Sequence, residues 1–243
     1  MLKPLKSIKS LKHQSSICKG RFNVLCWNVA KLSQKKNFIE YLHSIIEGEE
    51  IDFLLLQEVK EGMQKDVSLN DYSYVLSPNI VTKNHLFGVM NAFKVSCESA
   101  KAMLSKSQEL KYMTHKSSLI TRHLMADQQN LLVVNLHAIN FVTSRDFKCE
   151  LDYIKAQVSS YDGPLIVAGD FNTWNFRRVA LLRSFAHELF LTEVEFSCDK
   201  HIKKVFNKRL DYVFYRALRV EHSKVIKSNY FSDHNPIVVS FSR

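Results

Sequence analysis

Six short apolar runs along the chain each close or open on polar groups. Phe22-Asn-Val-Leu-Cys-Trp27 closes on Asn28, Phe53-Leu-Leu-Leu on Gln57 and Glu58, and Leu131-Leu-Val-Val-Asn135-Leu on His137. Leu210-Asp211-Tyr-Val-Phe-Tyr215 opens with an acid, and Ser232-Asp233-His234 precedes the run ending at Phe241. The sixth, Pro164-Leu-Ile-Val-Ala-Gly169, closes on Asp170 and Asn172. Leu165, Ile166 and Val167 predict a strand covered on both faces, and Gly169 allows the backbone to bend so that Asp170 and Asn172 point at one place. Packing alone does not call for such ends, and six of them are able to converge on one edge of a β-sandwich.

Between these runs the period changes. Phe38, Ile39, Leu42, Ile45 and Ile46 predict a helix over 35–47. Phe147, Leu151, Ile154 and Val158 predict one over 145–159, and Val179, Leu182, Phe185 and Ala186 predict one over 176–189. Strands interleaved with amphipathic helices indicate an α/β class. The stretch 89–114 has no clean periodicity, and its structure stays open. A chain of 243 residues suits one domain burying about 70 to 75% of its unfolded surface. Without a Gly/Ser/Pro-rich linker, 21–243 reads as that domain.

Charge is unevenly placed. The formal net charge is +10, yet residues 1–39 hold nine Lys or Arg and no acid, while residues 200–243 hold 10 basic against 3 acidic. The leader repeats an apolar residue and Lys every third position, from Leu2-Lys3 to Leu11-Lys12. A period of three drifts around a helix, so residues 1–20 read as a disordered basic arm, with an anionic-membrane anchor or targeting segment over 1–19 as the alternative. The absence of a signal-peptide core or long apolar run points to a soluble, cytoplasmic protein. Five cysteines without zinc-type or Cys-x-x-Cys spacing fit a reducing compartment. Cys26 reads as a core residue.

Taken in order, Trp27-Asn28, Gln57-Glu58, Asn135-x-His137, Gly169-Asp-Phe-Asn172, Leu210-Asp-Tyr212 and Ser232-Asp-His234 form a specific set. The chain thereby resembles the endonuclease/exonuclease/phosphatase superfamily, the DNase I-like fold, over roughly residues 22–241. That resemblance implies a four-layer α/β sandwich, with two mixed β-sheets packed face to face and helices outside. It also implies a divalent-metal phosphoesterase site at one end.

The chemistry agrees with the residues. Phosphodiester hydrolysis needs neutralised phosphate oxygens, an activated water and a stabilised leaving oxygen. Hard oxygen ligands select Mg²⁺ or Mn²⁺, and Glu58 is the leading ligand, as its position is in the resembled family. Asp170 is the candidate to orient or deprotonate the attacking water, with Asn172 holding water or a phosphate oxygen. His234 suits phosphate contact or base duty and needs a carboxylate to fix its tautomer and raise its pKa. The resemblance assigns that duty to Asp211, leaving Asp233 to bind the metal. It also implies that His137 contacts the phosphate and protonates the leaving group, its acidic partner being Glu98 or Glu109. Asn28 is implied in both metal and phosphate binding. Trp27 reads as core.

Superfamily members cut DNA or RNA, remove phosphates from inositol lipids or split sphingomyelin, and fold does not choose among them. The basic arm and the basic segment with Lys200, Lys203, Lys204, Lys208 and Arg209 favour nucleic acid as substrate, Arg209 being the candidate substrate-binding cation. That segment reads equally as a solvated loop. No inserted aromatic hairpin of the lipid-cleaving kind stands out, and residues 206–210, with one ring, do not resemble the aromatic-rich abasic-sugar pocket of the repair branch. The expectation is a metal-dependent phosphodiesterase, a nuclease. The alternatives are a phospholipid or phosphoinositide hydrolase at an anionic membrane and a non-catalytic nucleic-acid-binding module. No obligate protein partner is inferred.

Overall fold

Alternation of apolar side chains within each strand sets the layers. The computed structural model describes residues 9–11, 13–63, 67, 69, 71–109, 114–228 and 231–243. In chain order the elements are β1 (Lys9–Leu11), β2 (Arg21–Asn28), α1 (Lys36–Gly48), β3 (Phe53–Gly62), β4 (Ser73–Val81) and β5 (His85–Phe93). Next come β6 (Ser99–Leu104), β7 (Ser117–Leu124), β8 (Asn130–His137), α2 (Ser144–Val158), β9 (Leu165–Asp170) and α3 (Phe176–Glu188). The chain continues through β10 (Thr192–Glu193), β11 (Lys204–Val205), β12 (Lys208–Arg209), β13 (Asp211–Arg216), β14 (Arg219–Val225) and β15 (Ile237–Ser242).

Two large mixed sheets result, in the orders β1-β4-β5-β3-β2-β15-β14 and β10-β13-β9-β8-β7-β6. In β2, Val24 and Cys26 face the other sheet and pack with Phe53, Leu55, Val133, Ile166 and Ala168. Leu25 and Trp27 point the opposite way, onto Phe38, Leu42 and Ile46 of α1. The second sheet repeats the arrangement: Val134, Leu136, Leu165 and Val167 turn outward onto Phe147 and Leu151 of α2 and Leu182 and Phe185 of α3. Period-two strands between period-3.6 helices thus build four layers. Thr143 caps α2 by accepting from the Asp146 amide, and Asn175 caps α3 by accepting from the Arg178 amide.

A polar seam ties the sheets together near one end. Gln57 Nε2 donates to Asn135 Oδ1 at 2.7 Å, and Asn135 Nδ2 donates to the Met90 carbonyl at 3.0 Å. Asn91 Nδ2 donates to Thr121 Oγ1 at 3.0 Å. Buried amides left unpaired cost more than a lost contact, so this seam fixes how one sheet sits on the other.

Two features differ from expectation. The open stretch contains β6, which pairs antiparallel with β7. The leader is not a free arm throughout: residues 9–11 add an edge strand to β4, and Cys18 is buried and bridges to Met125. Lys9 lies 3.1 Å from the carboxylate of Glu61, which is fully buried and also accepts from Tyr74 Oη at 2.5 Å. A free sheet edge and a buried acid in want of a cation hold this segment down. Residues 1–8 and 12 lie outside the described residues. No helix among the described residues is long and apolar enough to cross a membrane.

Candidate active site

Strand direction gathers the polar ends. β2 runs parallel to β3, and β8 runs parallel to β9, so Asn28, Glu58, His137 and Asp170 lie at or near the same end of their strands. β13 and β15 run antiparallel to β9 and β2, so residues that precede or open them arrive at that end as well. His137 stands opposite Asp170 in register, and Asp211 stands opposite Asp170 on the other side. A cavity of about 380 Å³ opens there, lined by Asn28, Glu58, Glu109, Lys116, His137, Asn140, Phe141, Asp170, Asn172, Lys203, Asp233 and His234, among others.

Local backbone shape aims each side chain. A register shift between Leu56 and Val59 interrupts the β3–β5 ladder, and Glu58 sits within it at φ 52°. Such a bulge re-aims a side chain next to a site. Gly169 has φ 144°, and a Cβ there would come within 1.9 Å of the Leu136 carbonyl oxygen on β8. Glycine is therefore required both for the backbone angle and for the close approach of β8 and β9. Asn172, at φ 50°, donates from its own amide nitrogen to Asp170 Oδ1 at 3.0 Å and from Nδ2 to the Ala138 carbonyl at 2.9 Å.

The Asp211–His234 pair forms as expected. His234 Nδ1 donates to both carboxylate oxygens of Asp211, at 2.9 and 2.8 Å, leaving Nε2 3.7 Å from Asp170 Oδ2. Burial works against a charged His234, but the Asp211 carboxylate outweighs it, with Asp170 and Asp233 adding, and the imidazole pKa rises to about 9. Burial pushes Asp170 up to about 6, opposed by His234 and reinforced by Asp211. The loop carrying His234 is pinned by Ser232 Oγ, which donates to the Asn28 carbonyl at 2.6 Å and accepts from the His234 amide at 3.1 Å. Trp27, buried in the core, donates from Nε1 to the His234 carbonyl at 2.8 Å.

Several of the expected site residues have partners that the sequence did not show. Asn28 donates to Asp170 Oδ2 at 3.2 Å while its own oxygen accepts from the Ala30 amide, so it orients Asp170. Asp233 lines the cavity, yet its carboxylate accepts from Lys203 at 2.8 Å, and this ion pair holds its pKa below the usual value against the effect of burial. Arg209 does not line the cavity: its guanidinium pairs with Glu193 and lies over the Tyr212 ring. Lys204 pairs with Asp199 at 3.0 Å, so acids neutralise much of the basic segment. That segment folds as a hairpin, β11–β12, with Phe206 81% exposed at its tip. The single ring of 206–210 thus stands at the tip of a short hairpin.

Among the described residues, the acids beside His137 Nε2 are Asp170 and Glu58, neither of them Glu98 or Glu109. The Nε2 of His137 lies 3.2 Å from Lys116 Nζ, 3.6 Å from Asp170 Oδ2 and 3.9 Å from Glu58 Oε1. Burial first, then the charges of Lys116, His234 and Lys31, hold its pKa well below the ordinary histidine value. A neutral imidazole here accepts from Lys116 through Nε2 and keeps its one proton on Nδ1. Glu109 reaches the site through Lys116, at 3.7 Å, whereas Glu98 does not line the cavity. Lys116 and Arg178 were not singled out from the sequence. Arg178 is fully buried and donates to the carbonyls of Ile139 at 2.8 Å, Asn172 at 3.0 Å and Val142 at 3.2 Å.

The oxygen donors fit a hard divalent cation. Carboxylates from Glu58 and Asp170 flank His137 Nε2 in the cavity, and Asp170, Asp211 and His234 form a buried acid–histidine cluster.

Comparison with known proteins bears on the fold and the family. The chain is 34% identical over 226 residues to a UPF0294 protein of Erwinia tasmaniensis, covering 91% of this chain and 81% of that one. The human Nocturnin catalytic domain with bound sulfate superposes with a TM-score of 0.71 at 17% identity, covering 97% of each chain. D. rerio TDP2 complexed with single-strand DNA product superposes with a TM-score of 0.66 at 17% identity, covering 92% of this chain and 99% of that one. At such identities the likeness concerns the fold. Residues 25–234 match the model of the endonuclease/exonuclease/phosphatase family, and the chain belongs to that family.

Proposed function

We propose that the protein is a divalent-cation-dependent phosphodiesterase acting on nucleic acid. The observation that carries this reading is the register of Asp170 between His137 and Asp211, with His234 fixed by Asp211 at 2.8 Å. Asp170, His137 and His234 then share one cavity wall, with Asp211 bonded to Nδ1 of His234.

Glu58 and Asp170 would hold Mg²⁺ or Mn²⁺, joined by Asp233 once it leaves Lys203; the ion when bound supplies positive charge to a phosphate oxygen. Asp170, buried and oriented by the Asn28 amide, takes a proton from the attacking water. Asn172 holds that water or a phosphate oxygen from the cavity wall. His234, kept protonated by Asp211, donates to the phosphate through Nε2. His137 stays neutral and accepts from Lys116.

Nucleic acid is favoured by the formal net charge of +10 and by the single-strand DNA product on TDP2, a protein of the same fold. A phospholipid diesterase is the second reading, favoured by the exposed Phe206 hairpin tip beside Lys208. The test is hydrolysis of single- and double-stranded DNA, RNA, sphingomyelin and inositol lipids with Mg²⁺, Mn²⁺ or EDTA. Cleavage of an oligonucleotide that EDTA abolishes supports the nuclease reading. Cleavage of lipid alone overturns it.

A further inference from the structure

Beyond the acids and histidines, two lysines line the cavity: Lys203, paired with Asp233 at 2.8 Å, and Lys116. Lys116 immediately precedes β7, and its backbone is fixed to Ser105: its amide donates to Ser105 Oγ at 3.0 Å, and its carbonyl accepts from the Ser105 amide at 2.9 Å. The side chain is 15% exposed, and it lines both the main cavity and a smaller adjoining one of about 150 Å³ that also contains Glu58 and His137. A lysine so placed has lost most of its hydration, and its rotamers are restricted before any ligand arrives.

Its partners do not consume it. An ammonium has three N–H donors. One reaches His137 Nε2 at 3.2 Å. Glu109 Oε2 is 3.7 Å away, longer than a charge-assisted hydrogen bond, and Glu109 Oε1 is already engaged by the Asn140 amide at 2.6 Å. The remaining donor capacity faces a cavity wall otherwise rich in carboxylates, where an anionic substrate needs a cation. Lys31, the other lysine near Glu58, has a side chain 57% exposed and approaches Glu58 only to 3.8 Å.

We propose that Lys116 is a catalytic residue that donates directly to the substrate phosphate beside His137, while Glu109 holds the lysine and the Asn140 loop in place. The proposal rests on the phosphodiesterase reading above. At this corner of the site Lys116 supplies a cation to the phosphate, and His137, 3.2 Å from its Nζ, aligns it.

Lys116→Met, Lys116→Gln, Lys116→Arg and Glu109→Gln separate a phosphate contact from a merely structural lysine. The measurements are kcat and KM for bis(p-nitrophenyl) phosphate with Mg²⁺, the inhibition constant of inorganic phosphate, and thermal unfolding as a check of folding. Expected is a fall in kcat/KM of about 10²- to 10³-fold for the neutral variants, with phosphate inhibition weakened by about tenfold or more. Lys116→Arg should recover part of both. Glu109→Gln should lower turnover yet leave the phosphate constant within about twofold of wild type. A folded Lys116→Met or Lys116→Gln within about threefold of wild type in both measurements overturns the proposal, as does a Glu109→Gln variant that weakens phosphate inhibition equally. A wild-type protein that hydrolyses no phosphodiester overturns the functional reading, and this proposal with it.

Discussion

His234 Nδ1 donates to both carboxylate oxygens of Asp211, at 2.9 and 2.8 Å, in a buried setting that would otherwise favour a neutral imidazole. A raised folded-state pKa means that the folded protein binds this proton more tightly than the unfolded chain. The groups facing His234 are Asp211 from β13, Asp170 from β9 and Asp233 on its own loop.

The pair gives the protein a pH signature. His234 contributes stability that is fully present below the ordinary value of 6.5 and is lost as pH rises through about 9. Asp170 contributes in a lower window: stability present below 3.8 is lost as pH rises through about 6. In activity, kcat/KM should rise as Asp170 ionises, near or below 6 with a cation bound, and fall as His234 loses its proton near 9. Asp211→Asn removes the carboxylate that outweighs burial, so the alkaline limb should move down by at least about one pH unit. A pH–rate profile of both proteins checks this, and an unmoved alkaline limb would refute the role given to Asp211.

Gly169 is the point at which the backbone of β9 leaves no room for a side chain. With φ at 144° and the Leu136 carbonyl oxygen 1.9 Å from any Cβ, Gly169→Ala must move β9 or β8, and Asp170 with it. The expected cost is about 3 kcal/mol or more in stability, with turnover lost as well. Urea denaturation measures the first; a change under about 1 kcal/mol would show that the strands absorb the methyl group freely.

Arg178 joins three backbone carbonyls from two loops that shape the cavity, those of Ile139, Val142 and Asn172. Arg178→Met keeps much of the volume and removes the donors. Hydrogen bonds from a charged group contribute about 1.5–3 kcal/mol each, offset by the burial of that charge, so a loss of about 2–4 kcal/mol is expected. Because Asn172 is released at the same time, kcat should fall by a larger factor than KM rises. Thermal unfolding and steady-state kinetics on the same preparation check both.

The strands and helices were legible because their periods are strict. Leu25 and Trp27 alternate with Val24 and Cys26 between two packed layers, and Phe38, Leu42 and Ile46 recur at helical spacing. Asp170, Asp211 and His234 were legible because acids and a histidine at strand ends have no packing rationale. The bulge that turns Glu58 was not, since register depends on the partner strand β5. Lys116 carries no local pattern; its meaning comes from His137, which lies 21 residues away. The same blindness to distant partners misassigned Arg209, whose counter-ion Glu193 precedes it by 16 residues, and the leader, whose Lys9 answers Glu61 across the sheet.

The central claim is that Asp170 and its neighbours hydrolyse a phosphodiester. Its most direct test is the Mg²⁺-dependent cleavage rate of a single-stranded oligonucleotide by the wild-type protein and by Asp170→Asn, which keeps the side-chain shape. Cleavage by wild type with a loss of about 10²- to 10⁴-fold in Asp170→Asn, at unchanged melting temperature, is the expected result. Equal rates from the two proteins would contradict it.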